Sequence, residues 1–285
     1  MSYKTIAIVV TDQALDAAAL AAACQLARRE GAHLEVHALG IDQSRLSLAP
    51  MGGVGGMIEP AMIESERARA LEAAEALAAW AKIAVGTDPI ACTIQPQMLS
   101  DMEMEREVAQ LVRYSDLVVA ARPYGKGGSN LAVSVVEAAL FGSDAPVMIV
   151  PPSAPDLGQP LDRVMVAWNG GAEGLSAVRR ALPTLQQASR VDIVIVDPDR
   201  HAAERSDPGG GVCLMLARHG VKAEVAILSQ TLPRASDVLL RFAREHDFQA
   251  IVMGAYGHSR FREMVLGGVT RSMLEQTELP LLMAH

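Results

Sequence analysis

Four glycines carry the clearest chemical signal in this sequence: Gly254-x2-Gly257-x9-Gly267, followed at once by Gly268. The apolar run Ala250 to Met253 reads as a buried parallel strand that halts at Gly254. Gly254 and Gly257 bracket a short turn, and Gly267-Gly268 opens a helical pattern running through Met273 and Leu274. A strand, a loop that can be approached closely and a helix N-terminus together suit an anion. Unpaired N–H groups and the helix dipole both favour negative charge there, and glycines bring a phosphate within reach of the main chain. The alternative is a strand-to-helix turn in which the glycines serve packing alone.

The neighbouring polar residues add cations but no catalytic set. His258, Arg260 and Arg262 follow the second glycine, where they would meet phosphates or simply be solvated. Ser259 beside His258 is adjacency in sequence, not triad geometry, and no G-x-S-x-G elbow accompanies it. The Walker pattern is absent, so efficient P-loop hydrolysis is not expected. Ala167-Trp168-Asn169-Gly170-Gly171 does not fit the dinucleotide fingerprint. The three cysteines form no CxxC or Cys/His cluster. Cys24 and Cys213 fall in helical patterns and Cys92 in a β-like run, as buried structural thiols do.

These residues need strands and helices to place them. Half of the 285 residues are hydrophobic and only 4% are aromatic, which suits aliphatic parallel strands under Ala-rich helices. Thr5 to Val10 is a strand, residues 13 to 30 a helix ended by Gly31, and Leu34 to Leu39 a second strand. Ser47 to Pro60, with Met51-Gly52-Gly53-Val54-Gly55-Gly56, reads as a surface loop rather than a phosphate loop. Glu59 to Ile83 is a long helix, Ile90 to Ile94 a strand, and Ser100-Asp101-Met102-Glu103 a capping box opening a helix to about Tyr114. Leu117 to Ala121, residues 130 to 141, and Val147 to Val150 complete a βαβα order.

After Pro151-Pro152-Ser153-Ala154-Pro155 the pattern begins again. Val164 to Trp168 echoes Ile6 to Val10. Leu175 to Leu185 marks a helix bent at Pro183, followed by strands at Val191 to Val196 and Ala223 to Leu228. A helix from about Arg234 to His246 leads into the glycine-rich stretch. The halves end alike, Ala145-Pro146-Val147-Met148-Ile149-Val150 against Leu279-Pro280-Leu281-Leu282-Met283-Ala284.

The glycine spacing resembles the adenine-nucleotide loop of the universal stress protein family, and the repeat makes nearly the whole chain resemble two such domains in tandem. The expected boundaries are 1–150 for a domain with a degenerate site, 151–160 for a linker, and 161–285 for a domain with the nucleotide loop. The implied fold is α/β: two flavodoxin-like, Rossmann-like units, each a five-stranded parallel sheet with helices on both faces. Their final strands are expected to associate as an intramolecular pseudo-dimer, and a homodimer of whole chains is compatible with the family.

The resemblance also implies a ligand: ATP or a related adenine nucleotide, with or without Mg, held as a regulatory ligand in the second half. Its adenosine end would meet Ala167, Asn169 and Val196; its phosphates would meet Gly254, Tyr256, Gly257, His258, Gly267, Gly268 and Val269. Two departures stand out. Asn169 replaces the family's aspartate, with Thr11 at that place in the first half. Gly268 replaces a serine or threonine, so one phosphate contact is missing. In the first half, Ala121-Arg122-Pro123-Tyr124-Gly125 aligns with Met253-Gly254-Ala255-Tyr256-Gly257, placing Arg122 at the first glycine and Val133 to Val136 at the helix opening. On that alignment Gly254→Arg would abolish binding with little effect on folding.

Two other readings compete: a nucleotide-independent interaction module of the same fold, and a small-molecule enzyme, for which no acid/base pair or metal cluster emerges. At most slow ATP hydrolysis is expected. A net charge of −8 argues against general affinity for nucleic acid or anionic membranes. Met1-Ser2-Tyr3-Lys4 leads straight into a strand and no apolar run is long enough to span a bilayer, so a cytoplasmic location is expected.

Overall fold

The computed structural model describes residues 2–44, 60–87, 89–125, 128–198, 207–255 and 268–285. Ten strands form one sheet: β1 (Thr5–Val10), β2 (His33–Asp42), β3 (Cys92–Ser100), β4 (Leu117–Ala121), β5 (Val147–Val150), β6 (Arg163–Ala167), β7 (Arg190–Val196), β8 (Ala223–Leu228), β9 (Ala250–Gly254) and β10 (Leu281–Ala284). Their order is β3-β2-β1-β4-β5-β10-β9-β6-β7-β8. Each half is a five-stranded parallel sheet, and the halves meet where β5 and β10 pair antiparallel. Leu281 faces Ile149, Leu282 faces Met148 and Met283 faces Val147, so the seam has a pseudo-twofold centre at Met148 and Leu282.

The helices are α1 (Gln13–Glu30), α2 (Pro60–Val85), α3 (Met104–Val112), α4 (Asn130–Gly142), α5 (Ala172–Arg180), α6 (Leu182–Leu185), α7 (Gly210–Arg218), α8 (Ala235–Glu245) and α9 (Val269–Gln276). They cover both faces, as the all-apolar strands require: β4, β5 and β10 are buried at every position. On one face a continuous apolar core runs from Leu20 and Leu26 of α1 to Ala177 and Val178 of α5. The other face holds Val135 and Val136 of α4 against the sheet, with Met273 and Leu274 of α9 in the same cluster. α2 packs closely on β2, where a side chain at Gly40 would run into the Ala70 carbonyl.

The Pro-rich stretch between the halves is packed down. Leu157 is fully buried; its N–H donates to Gln25 Oε1 at 3.0 Å, and Arg29 Nη1 donates to the carbonyls of Leu157 and Gln159 at 3.1 and 2.9 Å. Tyr3 adds a buried hydroxyl contact to Thr184 Oγ1 at 3.1 Å.

Several local expectations change. β3 runs to Ser100, beyond the expected Ile94. The capping box does not form: residues 101–103 make a 3-10 turn without a side-chain cap, and the Ser100 hydroxyl is buried without a hydrogen-bond partner. Strand pairing through Asp42↔Ser100 holds that residue as the strand end. Pro183 does more than bend its helix, separating α5 from α6, because a proline ring cannot continue the first helix's hydrogen bonds. The glycine-rich run Met51 to Gly56 and the expected helix start at Glu59 lie outside the described residues.

Candidate functional site

In the second half the strand order reverses between β9 and β6, so a crevice opens at their C-terminal ends. Ala167 ends β6 opposite Met253, beside Gly254 at the end of β9. Val196 ends β7, paired with Leu228. Past β6 the chain turns through Asn169. Its Oδ1 accepts from the Gly171 N–H at 3.0 Å, and its Nδ2 donates to Glu173 Oε1 at 3.0 Å. Asn169 therefore closes an Asx turn, and the N-cap of α5 is Gly171, without a side-chain cap. The structure thus brings Ala167, Asn169, Val196 and Gly254 to one edge.

Glu173 is the residue that sequence reasoning missed. It sits in the first turn of α5 and folds back over Gly171, placing a carboxylate beside Asn169. The signal available was the four-residue spacing from Asn169, one helical turn. Asn169 brings no charge, but its hydrogen-bond partner does.

Gly254 has a packing role. A Cβ there would lie 2.6 Å from Glu173 Cγ, 2.6 Å from the Gly174 nitrogen and 2.7 Å from the Glu173 carbonyl carbon. The first turn of α5 rests on this glycine, so Gly254→Arg would disturb the helix as well as any ligand, contrary to the expectation of intact folding.

At the far side of the crevice, Gly268 is the N-cap of α9, extended at φ −64° and ψ 174°, exposed and without a side-chain cap. Among the described residues nothing lies within 4 Å of the place its Cβ would take. Val269 is exposed too. Gly268, having no side chain, supplies no cap of its own at a helix end of the kind that attracts anions. Arg234, at the N-cap of α8, reaches this helix through Nη1, which donates to Ser272 Oγ at 3.4 Å. Tyr256, Gly257, His258, Ser259, Arg260, Arg262 and Gly267 lie outside the described residues.

The first half corrects the alignment. Val118 pairs with Val147 and Ala121 with Val150, while Ile251 pairs with Leu281 and Gly254 with Ala284. The Arg122 N–H donates to Val150 O as the Ala255 N–H donates to Ala284 O. Ala121, not Arg122, therefore stands at the place of Gly254, and Arg122 stands at that of Ala255.

The helix opening is corrected as well. The N-cap of α4 is Ser129, not a residue of Val133 to Val136, and its hydroxyl accepts from the Ala132 N–H at 3.0 Å. Asp16 fills the turn after β1: its Oδ2 accepts from the N–H groups of Thr11 at 2.7 Å and Asp12 at 3.0 Å. Burial pushes this carboxyl above the usual range, against the lowering effect of those donors. In the first half the donors of both corners are taken by its own side chains.

Among the described residues the second-half edge offers backbone donors, the Asn169–Glu173 amide–carboxylate pair and the Arg234 cation. Among the described residues no group of His, Cys, Asp and Glu is placed to hold a metal ion, and no helix is long and apolar enough to cross a membrane.

A doubly wound α/β chain with its crevice at a switch point is thus defined by fold and edge alone. Residues 160–285 match the universal stress protein family. Over 68 residues it is 34% identical to universal stress protein Slr1230 of Synechocystis sp., a stretch covering 24% of this chain and 23% of that relative. The chain therefore matches about a quarter of that protein's length. Among solved structures, a universal stress protein from Archaeoglobus fulgidus superposes with a TM-score of 0.67 at 17% identity, covering 98% of this chain and 95% of its own. One from Pseudomonas aeruginosa, described as a putative universal stress protein, gives 0.54 at 12% identity, covering 99% and 93%. At those identities the likeness is one of fold.

Proposed function

We propose that this chain is a universal stress protein that binds ATP or a related adenine nucleotide as a regulatory ligand in its second half, with residues 1–150 and 161–285 acting as tandem domains across the segment 151–160. The observation that carries the reading is where α9 begins: its N-cap is exposed Gly268, at the end of the crevice between β9 and β6. No described atom lies within 4 Å of where a Gly268 Cβ would stand, and the Val269 N–H opens the helix there, which suits a phosphate. Asn169 with Glu173 supplies acceptors for sugar hydroxyls beside Ala167, and Val196 stands at the strand end expected to meet the base. A bound nucleotide brings its own phosphate charge, and any magnesium would enter with it. Catalysis is not part of the proposal, since no base–nucleophile pair stands at this edge among the described residues.

One observation favours the second reading, an interaction module without nucleotide: the Glu173 carboxylate faces the same crevice and disfavours phosphate close to it. Mass spectrometry of ligand released from the purified protein separates the two. Calorimetric titration of Gly268→Ser with ATP and with adenosine then locates the phosphates. A new hydroxyl-to-phosphate hydrogen bond is worth roughly 1.5–3 kcal/mol, about tenfold to hundredfold in affinity. ATP binding should tighten by that factor while adenosine binding stays level. No gain for ATP refutes phosphate at α9.

A further inference from the structure

The segment after β4 in the first half, expected to be a degenerate counterpart of the nucleotide loop, makes specific contacts to the second half. Arg122 Nη1 donates to the Thr277 carbonyl at 3.0 Å, at the C-terminal end of α9. Two residues on, the Tyr124 ring lies under the Arg271 guanidinium, 5.3 Å from ring centroid to Cζ, in the first turn of the same helix. Arg271 is held along the helix by Glu275 at 2.9 Å. Ser153 Oγ adds a bond to the Glu278 carbonyl at 3.2 Å, just beyond α9.

These contacts matter because α9 has little holding it from within. It is eight residues long, about 12 Å, and helices so short are marginal alone. Its N-cap, Gly268, has no side chain to cap it with. A guanidinium at its C-terminal carbonyl opposes the negative end of the helix dipole, and an arginine stacked on tyrosine fixes the opposite end. In so short a rod, gripping both ends sets where the N–H groups point.

Among the described residues the second half meets α4 differently, with the His285 ring edge-on to Phe141 at 4.9 Å between centroids. Ala255, which takes the place of Arg122 in the second half, has no guanidinium to offer. Ser143, the counterpart of Thr277, caps its own helix by donating to the Ala139 carbonyl at 2.7 Å.

We infer that Arg122 and Tyr124 are positioning residues, a clamp by which the first half aims α9 of the second half at the crevice. The inference rests on the proposed nucleotide reading for its consequence, but the clamp itself can be measured without ligand. Mutations that act on binding through an intervening element shift affinity by roughly 2- to 30-fold.

The test uses the full chain with Arg122→Met, Tyr124→Leu and Arg122→Lys. Hydrogen exchange followed by mass spectrometry reads peptides across residues 268–277, and calorimetry reads ATP and adenosine. In Arg122→Met and Tyr124→Leu, exchange across 268–277 should quicken severalfold while β6 to β8 stay as protected as before. ATP should bind roughly 2- to 30-fold more weakly with adenosine unchanged. Arg122→Lys, which keeps a cation for the Thr277 carbonyl, should recover most of both effects. Unchanged exchange in both variants overturns the clamp. Equal weakening for ATP and adenosine overturns the aiming of α9 and points to general loosening. If the unmodified protein binds no ATP, the nucleotide reading falls and the clamp is decided by exchange alone.

Discussion

Gly254→Ala is the sharpest test of how the second half is built. The added methyl carbon would sit 2.6 Å from both Glu173 Cγ and the Gly174 nitrogen and 2.7 Å from the Glu173 carbonyl carbon, where ordinary contact begins at 3.4 Å. Relief needs a displacement of about 0.8 Å, the difference between 3.4 and 2.6 Å. The flexible Glu173 side chain can yield, but the other two atoms are backbone of α5, so the helix itself must move. Overpacking of this kind costs about 1–3 kcal/mol, offset by up to about 1 kcal/mol from the reduced freedom of the unfolded chain. From the middle of both ranges the net loss is about 1.3 kcal/mol, a fall in Tm of about 3–5 °C for a chain of this size. Thermal unfolding followed by circular dichroism measures it. Gly268→Ser is the matched control: no described atom lies within 4 Å of the new Cβ, so its Tm should hold. A Gly254→Ala protein as stable as the unmodified chain would refute the claim that α5 rests on this glycine.

Two further outcomes concern buried ionisable groups of the first half. Asp16→Ala strands the Thr11 and Asp12 N–H groups and should cost about 1–3 kcal/mol, read as a shifted denaturant midpoint. Burial raises the Asp16 carboxyl, so the folded chain holds its proton more tightly than the unfolded one. Unmodified protein should therefore lose stability relative to Asp16→Asn as pH climbs from the ordinary carboxylate value through the raised one, and a flat difference refutes this. His37 works the other way: burial lowers its imidazole, opposed by Glu35 with Oε2 at 4.0 Å from Nε2. The unfolded chain takes the proton first, so stability present above about pH 6.5 is lost as pH falls through that value. His37→Gln should flatten that acid limb; an unchanged limb assigns it elsewhere.

Most of the fold was legible because it is written in apolar runs. Strands such as Leu117–Ala121 and Ala223–Leu228 are continuous or near-continuous aliphatic segments between turn residues, and their repetition discloses two similar halves. Register was not legible. The Tyr-Gly pair shared by Tyr124-Gly125 and Tyr256-Gly257 drew the alignment one residue out, because loops after paired strands are free to differ in length. From Ala121 to the N-cap Ser129 is eight positions, and from Gly254 to Gly268 fourteen. Only hydrogen bonds between strands fix which residue stands where. Glu173 escaped for a related reason: its reach to Asn169 depends on where α5 begins, and the Asx turn moves that start to Gly171. The Ser100 capping box failed because pairing with β2 keeps that residue in the strand, a contact remote in sequence.

The antiparallel seam has a consequence for how the chain is made. β5 is complete once Val150 has been synthesised, yet its partner β10 follows only after roughly 130 more residues, on the order of ten seconds of translation. Throughout that interval the first half carries an aliphatic strand, Val147–Val150, whose far edge lacks the neighbour it will have in the finished protein. Such an edge can accept a strand from any chain nearby, including the same segment of another nascent copy. The union of the halves is therefore also a race during synthesis: correct closure depends on β10 arriving before a stranger does, and ribosomes crowded on one message are where that race is hardest to win.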